Sequence, residues 1–180
     1  MTDFDSLLRK YTAENTELYE LLKAHSEAVA RKALAIADAK PELDIDKEFV
    51  LEAAMLHDIG VVRCDAPGIH CFGAEPYIRH GILGADILRA EGLPRHARVA
   101  ERHTGSGITA AYIKENELPL PYNDYLPESV EEKLICYADK FFSKSRRADE
   151  EKPLEKIRSQ MAAFGVDTLA RFDTMRRLFE

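Results

Sequence analysis

Apolar residues recur along this chain at the spacing of an α-helix, and nowhere do they keep the two-residue alternation of a half-buried strand. The clearest stripe lies between Thr16 and Ala39, where Leu18, Leu21, Leu22, Ala28, Val29, Ala33 and Ile36 share one helical face. A second helix is expected to begin after Asp46 and reach Asp58, with Gly60 taking the left-handed stop position. A third covers about 77–91 and ends at Gly92, and Pro94 starts a fourth that reaches His103. Ser129 and Glu132 form a capping box ahead of a fifth over 130–142. The tail, 153–180, reads as a helical pair turning at Gly165. Its stripes, Leu154, Ile157, Met161, Phe164 and Leu169, Phe172, Met175, Leu178, are expected to cover the core. The segments 61–76 and 115–127 read as loops that shape a pocket. The fold class is all-α.

The balance of residues narrows the function. With 46% hydrophobic and 32% charged residues, 180 positions suffice for one domain with a sizeable core. The net charge of −7 lacks the basic footprint of a duplex-binding protein, so no nucleic-acid duplex is expected as partner. The longest apolar run, Ala33 to Ala37, is far short of the ~20 residues of a membrane span. The first residues lack the basic start and apolar block of a signal peptide. Cys64, Cys71 and Cys136 are odd in number and without framework spacing, which fits reduced thiols in a cytoplasmic protein. His70 beside Cys71 lacks a second ligand pair and reads as part of a loop. His96, near a helix start, reads as solvated.

The histidines are placed differently. His25 follows Leu18 and Leu21 by seven and four positions and precedes Ala28 and Val29, so it lies on the buried stripe. His57 follows Val50, Ala53 and Ala54 at helical spacing, His80 precedes Leu83, Gly84 and Ile87, and His103 follows Val99 and Ala100. Asp139 sits between Ile135, Cys136 and Phe142, and Asp58 adjoins His57. Any one of these alone could be a core residue with a hydrogen-bonded ring or a cap. Four inward imidazoles and two inward carboxylates would need many unrelated partners, whereas one cluster of divalent metals satisfies all of them. Consecutive helical residues diverge by ~100°, so His57 and Asp58 can serve one cluster only where the helix frays before Gly60.

The ordered set His25, His57-Asp58, His80, His103 and Asp139, with "HDIG" spelled out from His57 to Gly60, resembles the HD superfamily of metal-dependent phosphohydrolases. "RHGILGADIL" is similar to a segment of HDIG proteins. "ERHTGSG" and "ICYADKFF" resemble segments of the bacterial HD-type diadenosine tetraphosphatases. The resemblance implies an HD-domain helical bundle over about 20–145, with 146–180 as accessory helices of one domain, 1–180. It implies one metal on His25, His57, Asp58 and Asp139 and a second on His80 and His103, with Asp58 bridging. The metals would be two divalent transition metals among iron, manganese, nickel, cobalt and zinc, iron first. A metal-bridging hydroxide would then hydrolyse a small phosphorylated substrate, a nucleotide being one candidate. His57 and Asp58 would take part in catalysis. Arg63 and Lys140 are candidate catalytic cations, and Arg79, Arg102 and Thr104 candidate phosphate holders.

The chain also departs from the pattern. Many HD hydrolases carry a lysine three residues after the motif's aspartate, where this chain has Val61. The tetraphosphatases follow their "ADYI" segment with a Glu-Pro pair and an arginine, where this chain reads "FSKSR" from Phe142. No "GYP" signature is present, which disfavours cyclic-di-GMP. Two other classes share the scaffold: a di-iron oxygenase acting on a small polyol or phosphonate, and a non-catalytic binding module. The oligomeric state is left open.

Overall fold

The computed structural model describes residues 2–144 and 149–180, and these fold into nine α-helices with one short β-pair. The helices are α1 (Phe4–Thr12), α2 (Thr16–Ala39), α3 (Lys47–Leu56), α4 (His80–Ala90), α5 (Pro94–Arg102), α6 (Ala110–Glu115), α7 (Val130–Asp139), α8 (Leu154–Ala163) and α9 (Val166–Phe179). The apolar stripe of the longest, α2, buries Ala28, Val29 and Ala33 in the main core, where α2 meets α3 and α7, and Leu18 and Leu22 in a smaller cluster with Val61 and Cys71. Many of these contacts are alanines, which lets helix axes approach closely enough for polar side chains to meet between them. Asn15 caps α2 by accepting the Leu18 N–H at 3.1 Å. In α7 the expected capping box of Ser129 and Glu132 is formed, and the helix ends at Asp139 rather than running on to 142. The tail is the anticipated pair, α8 and α9, reversing at Gly165, whose φ of 120° suits glycine. Its stripes bury Ile157, Met161, Phe172 and Met175, but Phe164 and Leu178, expected in the core, are exposed.

Gly60 departs from expectation in an instructive way. It does not stop a helix in the left-handed region, since the glycines with positive φ are Gly92, Gly105, Gly107 and Gly165. It lies instead in a 3₁₀ segment, Ile59–Arg63, that packs backbone to backbone on α4. A Cβ at Gly60 would sit 2.0 Å from the His80 carbonyl oxygen and 2.3 Å from the Gly84 nitrogen. Glycine is needed here for close approach, not for its dihedral freedom.

The loop after this segment carries a two-residue antiparallel pair, β1 (Asp65–Ala66) and β2 (Cys71–Phe72), too short for period-two patterning to reveal. The helix expected over 77–91 is a 3₁₀ turn, Tyr77–Arg79, leading into α4. Helices α1 and α6 lie where no helix was anticipated. Among the described residues no helix is long and apolar enough to cross a membrane.

Candidate metal centre

The six histidine and aspartate positions converge. His25 projects from the middle of α2, whereas the others occupy helix termini: His57 and Asp58 directly after α3, His80 opening α4, His103 directly after α5 and Asp139 closing α7. All six are buried. Nitrogen and oxygen atoms of His25, His57, Asp58 and Asp139 fall within 4.8 Å of one another, as do those of Asp58, His80 and His103. Asp58 is common to both groups.

Helix ends explain how the rings are aimed. The last carbonyls of a helix have no partner within it. His57 Nδ1 donates to Ala54 O at 2.6 Å and His103 Nδ1 to Ala100 O at 2.7 Å, each three residues back. His80 Nδ1 likewise donates to Tyr77 O at 2.8 Å. A carbonyl only accepts, so in all three rings Nδ1 carries a proton, and each ring in its neutral form turns an Nε2 lone pair inward. That is the second-contact arrangement expected of metal-ligating histidines.

The inward atoms are then badly matched to each other. His80 Nε2 and His103 Nε2 stand 3.1 Å apart, two lone pairs facing. His57 Nε2 and Asp58 Oδ1 make no hydrogen bond of proper geometry, and Asp58 Oδ2, besides an ammonium at 2.7 Å, has His57 Nε2 at 3.1 Å and His25 Nε2 at 3.2 Å without hydrogen-bond geometry. His25 Nε2 also lies 3.0 Å from Asp139 Oδ1. Buried polar atoms left unpaired in this way are unfavourable, and a divalent cation between them removes the conflict. The donor set, imidazole and carboxylate, suits first-row metals. The residues therefore fit the metal that the arrangement implies.

Electrostatics agree. Burial opposes the ionised forms of Asp58 and Asp139. The neighbouring ammonium groups, Lys144 for Asp58 and Lys140 for Asp139, together with the histidines, outweigh it and hold both carboxyls well below the usual range. Burial likewise opposes charging of His57, but Asp58 and Asp139 raise it to about 9. For His80, burial and then His103 depress the ring to about 3. Burial lowers His103 as well. Two carboxylates thus draw positive charge to one half of the cluster, while the other half presents neutral imidazoles.

Of the other residues singled out from sequence, Lys140 is at the site: its ammonium donates to Asp139 Oδ2 at 2.6 Å and to His103 O at 2.9 Å. The remaining candidates have surroundings of their own. Arg63 is exposed, with Tyr11 in its electrostatic reach. Arg79 pairs with Glu75 at 3.2 Å. Arg102 is committed to Glu128 at 2.7 Å and to the Leu126 carbonyl. Thr104 packs its hydroxyl beside Gly81. His96 is not solvated but buried, 3.1 Å from Glu52 and edge-on to Phe49.

Two neighbours escaped the sequence reading. Lys144 brings its ammonium to 2.7 Å from Asp58 Oδ2 from the cleft side. Tyr77 stacks on the His80 ring at 4.7 Å. Lys144 stands within the very "FSKSR" stretch that departs from the tetraphosphatases, and Arg146 of that stretch lies outside the described residues, as do the first positions of the accessory segment, 146–148.

The family profile described as HD domain matches residues 22–143. Among curated proteins, a chain of Picrophilus torridus named tRNA (cytidine(56)-2'-O)-methyltransferase is 36% identical over 145 residues, 80% of this chain and 37% of its own length. A chain of Thermoplasma volcanium with the same name is 32% identical over 166 residues, 92% of this chain and 43% of its own. An uncharacterized protein of Methanocaldococcus jannaschii is 36% identical over 159 residues, 87% of this chain and 83% of its own. This chain therefore spans less than half the length of the two relatives named as methyltransferases. No solved structure matches it.

Proposed function

The chain belongs to the HD-domain family, and from that premise we propose that it is a metal-dependent phosphohydrolase acting on a small phosphate ester, with nucleotides derived from RNA as the first class to try. The observation that carries the reading is the pair of opposed Nε2 atoms of His80 and His103 at 3.1 Å, both with Nδ1 already committed to carbonyls. His25, His57, Asp58 and Asp139 would hold one metal, and His80 and His103 a second, with Asp58 shared. When bound, such metals supply a water activated at neutral pH and positive charge against the phosphoryl oxygens.

This chain's own residues supply the positioning. Lys140 ties Asp139 to the His103 carbonyl, so the end of α7 and the end of α5 keep their spacing. Lys144 is the cation at the open side of the cluster, beside Asp58, where an incoming phosphoryl group would arrive. It stands in for the lysine lacking at Val61, which is buried in the core. Burial of His25, His57 and His103 keeps bulk water from the ligands and strengthens every charge interaction within the cluster.

The name that two relatives carry, a tRNA methyltransferase, is the reason to begin with RNA-derived nucleotides. Their methyl transfer is not carried over, because the M. jannaschii relative, matched over 83% of its length, is a chain of comparable extent. The test has two parts. Metal content per chain is measured by mass spectrometry on untagged protein, expecting about two transition metals in wild type, one in His80→Ala and almost none in Asp58→Ala. Phosphate release from a nucleotide panel is then followed in air and under anaerobic conditions. Release without oxygen supports hydrolysis. Turnover that requires dioxygen and iron replaces it with the oxygenase reading, and a wild type that stays empty after reconstitution leaves only a binding module.

A further inference from the structure

The cleft that opens onto the cluster is larger and more basic than one phosphoryl group requires. Its volume is about 500 Å³, within the roughly 300–1,000 Å³ of sites that enclose small organic ligands. Lys140, Lys144 and Lys152 line it together. The first two are already engaged by Asp139 and Asp58. Lys152 is not: among the described residues its ammonium has neither an ion-pair nor a hydrogen-bond partner. Its backbone N–H donates to Phe141 O at 2.7 Å, which fixes the side chain's origin just ahead of α8. Burial pushes the Lys152 ammonium towards its neutral form; Asp139 opposes this, and Lys140, Lys144 and Lys156 add to it. A half-buried cation held among other cations is unfavourable alone and is relieved by an anion.

The same cleft has aromatic walls. Tyr77 lies over His80 on one side. Phe164 stands at the end of α8, 53% exposed although its stripe otherwise faces the core. An exposed ring lining the same cleft as an ammonium without an ion-pair partner is a combination that can recognise a base and a phosphate.

We propose that this cleft takes a nucleotide bearing more than one phosphate group, with one phosphoryl at the cluster beside Lys144, a second on Lys152, and the base against Phe164. The position of the first phosphoryl rests on the phosphohydrolase reading, whereas the anchor and the stacking face do not.

The test is calorimetric binding to the metal-loaded full chain. The ligands are the 5'-monophosphates, 5'-diphosphates and 3',5'-bisphosphates of the four ribonucleosides. Wild type is expected to bind at least one two-phosphate ligand about 10-fold or more tightly than its monophosphate, the size of one charge-assisted contact. Lys152→Gln should bring that ratio to within about 2-fold, and Lys152→Arg should restore most of it. Phe164→Ala should weaken one- and two-phosphate ligands by the same factor. Thermal melts and metal content of each variant establish that it is folded and loaded. No preference in wild type, a preference that survives Lys152→Gln, or a Lys152→Gln loss shared equally by the monophosphate overturns the anchor. Unchanged affinities in Phe164→Ala overturn the nucleotide. A wild type that shows the preference yet releases no phosphate defeats the hydrolase reading while sustaining this one.

Discussion

One methyl group at residue 60 would force apart two segments that carry candidate metal ligands. The Cβ of alanine there meets the His80 carbonyl and the Gly84 nitrogen, both backbone atoms that cannot swing aside. Gly60→Ala is therefore expected to destabilise by about 3 kcal/mol or more, at the upper end of overpacking effects, and to lower metal binding through displacement of His80. Gly68, with nothing within 4 Å of an added Cβ, is the control, and Gly68→Ala should stay within about 0.5 kcal/mol in urea unfolding. His96 offers a second test at this scale. Burial lowers its pKa from 6.5 despite the pull of Glu52, and Glu52 itself ends below 4.5 because the Thr2 N–H and His96 outweigh its burial. Both folded pKa values lie under their unfolded ones, so the unfolded chain binds more protons and stability is lost as pH is lowered. The loss begins as pH drops through 6.5, where His96 is protonated first in the unfolded chain, and Glu52 adds to it below 4.5. Between pH 7.5 and 5.5, the urea midpoint of wild type should fall further than that of His96→Gln; parallel slopes would refute the assignment.

At the scale of elements, the helices were legible wherever they were long and striped. Thr16–Ala39 is found as read, and the Gly165 turn joins the two tail helices as expected. The capping box of α7 was equally readable, because Ser129 and Glu132 act within one turn and need no tertiary partner. Removing it in Ser129→Ala should lower stability by about 1 kcal/mol, measured as a urea midpoint shift without change of slope. Helices α1 and α6 were missed for a physical reason. They span nine and six residues, too short for a stripe to stand out, and are held by local caps on Asp3 and Thr109. Phe164 and Leu178 were assigned to the core because they keep the spacing of their stripes. Where a helix extends past its neighbours, that spacing no longer implies burial.

For the molecule as a whole, the cluster joins α2, α3, α4, α5 and α7, so a bound metal ties five helices together and is linked to global stability. A ligand present at 100 times its Kd adds about 2.7 kcal/mol, and at 2–4 °C per kcal/mol for a chain of this size that is about 5–11 °C for each occupied site. Dialysis against chelator is expected to lower the melting temperature by at least that much, and added metal to restore it. A melting curve indifferent to chelator would mean that the six residues are satisfied without metal.

The identities of those six residues followed from the order of residues alone. Periodicity within a helix is a local property, and it placed His25, His57, His80, His103 and Asp139 on inward faces one helix at a time, with Asp58 beside His57. Their meeting point, and which cations join it, were decided only by the packing of helices far apart in sequence. Lys144 reaches Asp58 across 86 positions, whereas Arg63, five residues from Asp58, ends exposed to solvent. Closeness along the chain predicts contact within a turn of helix and little beyond it, because the crossing of one helix over another sets which side chains meet. The candidate donor set was thus written in the sequence. The shared Asp58, the opposed histidines and the lysine-lined cleft exist only in the folded chain.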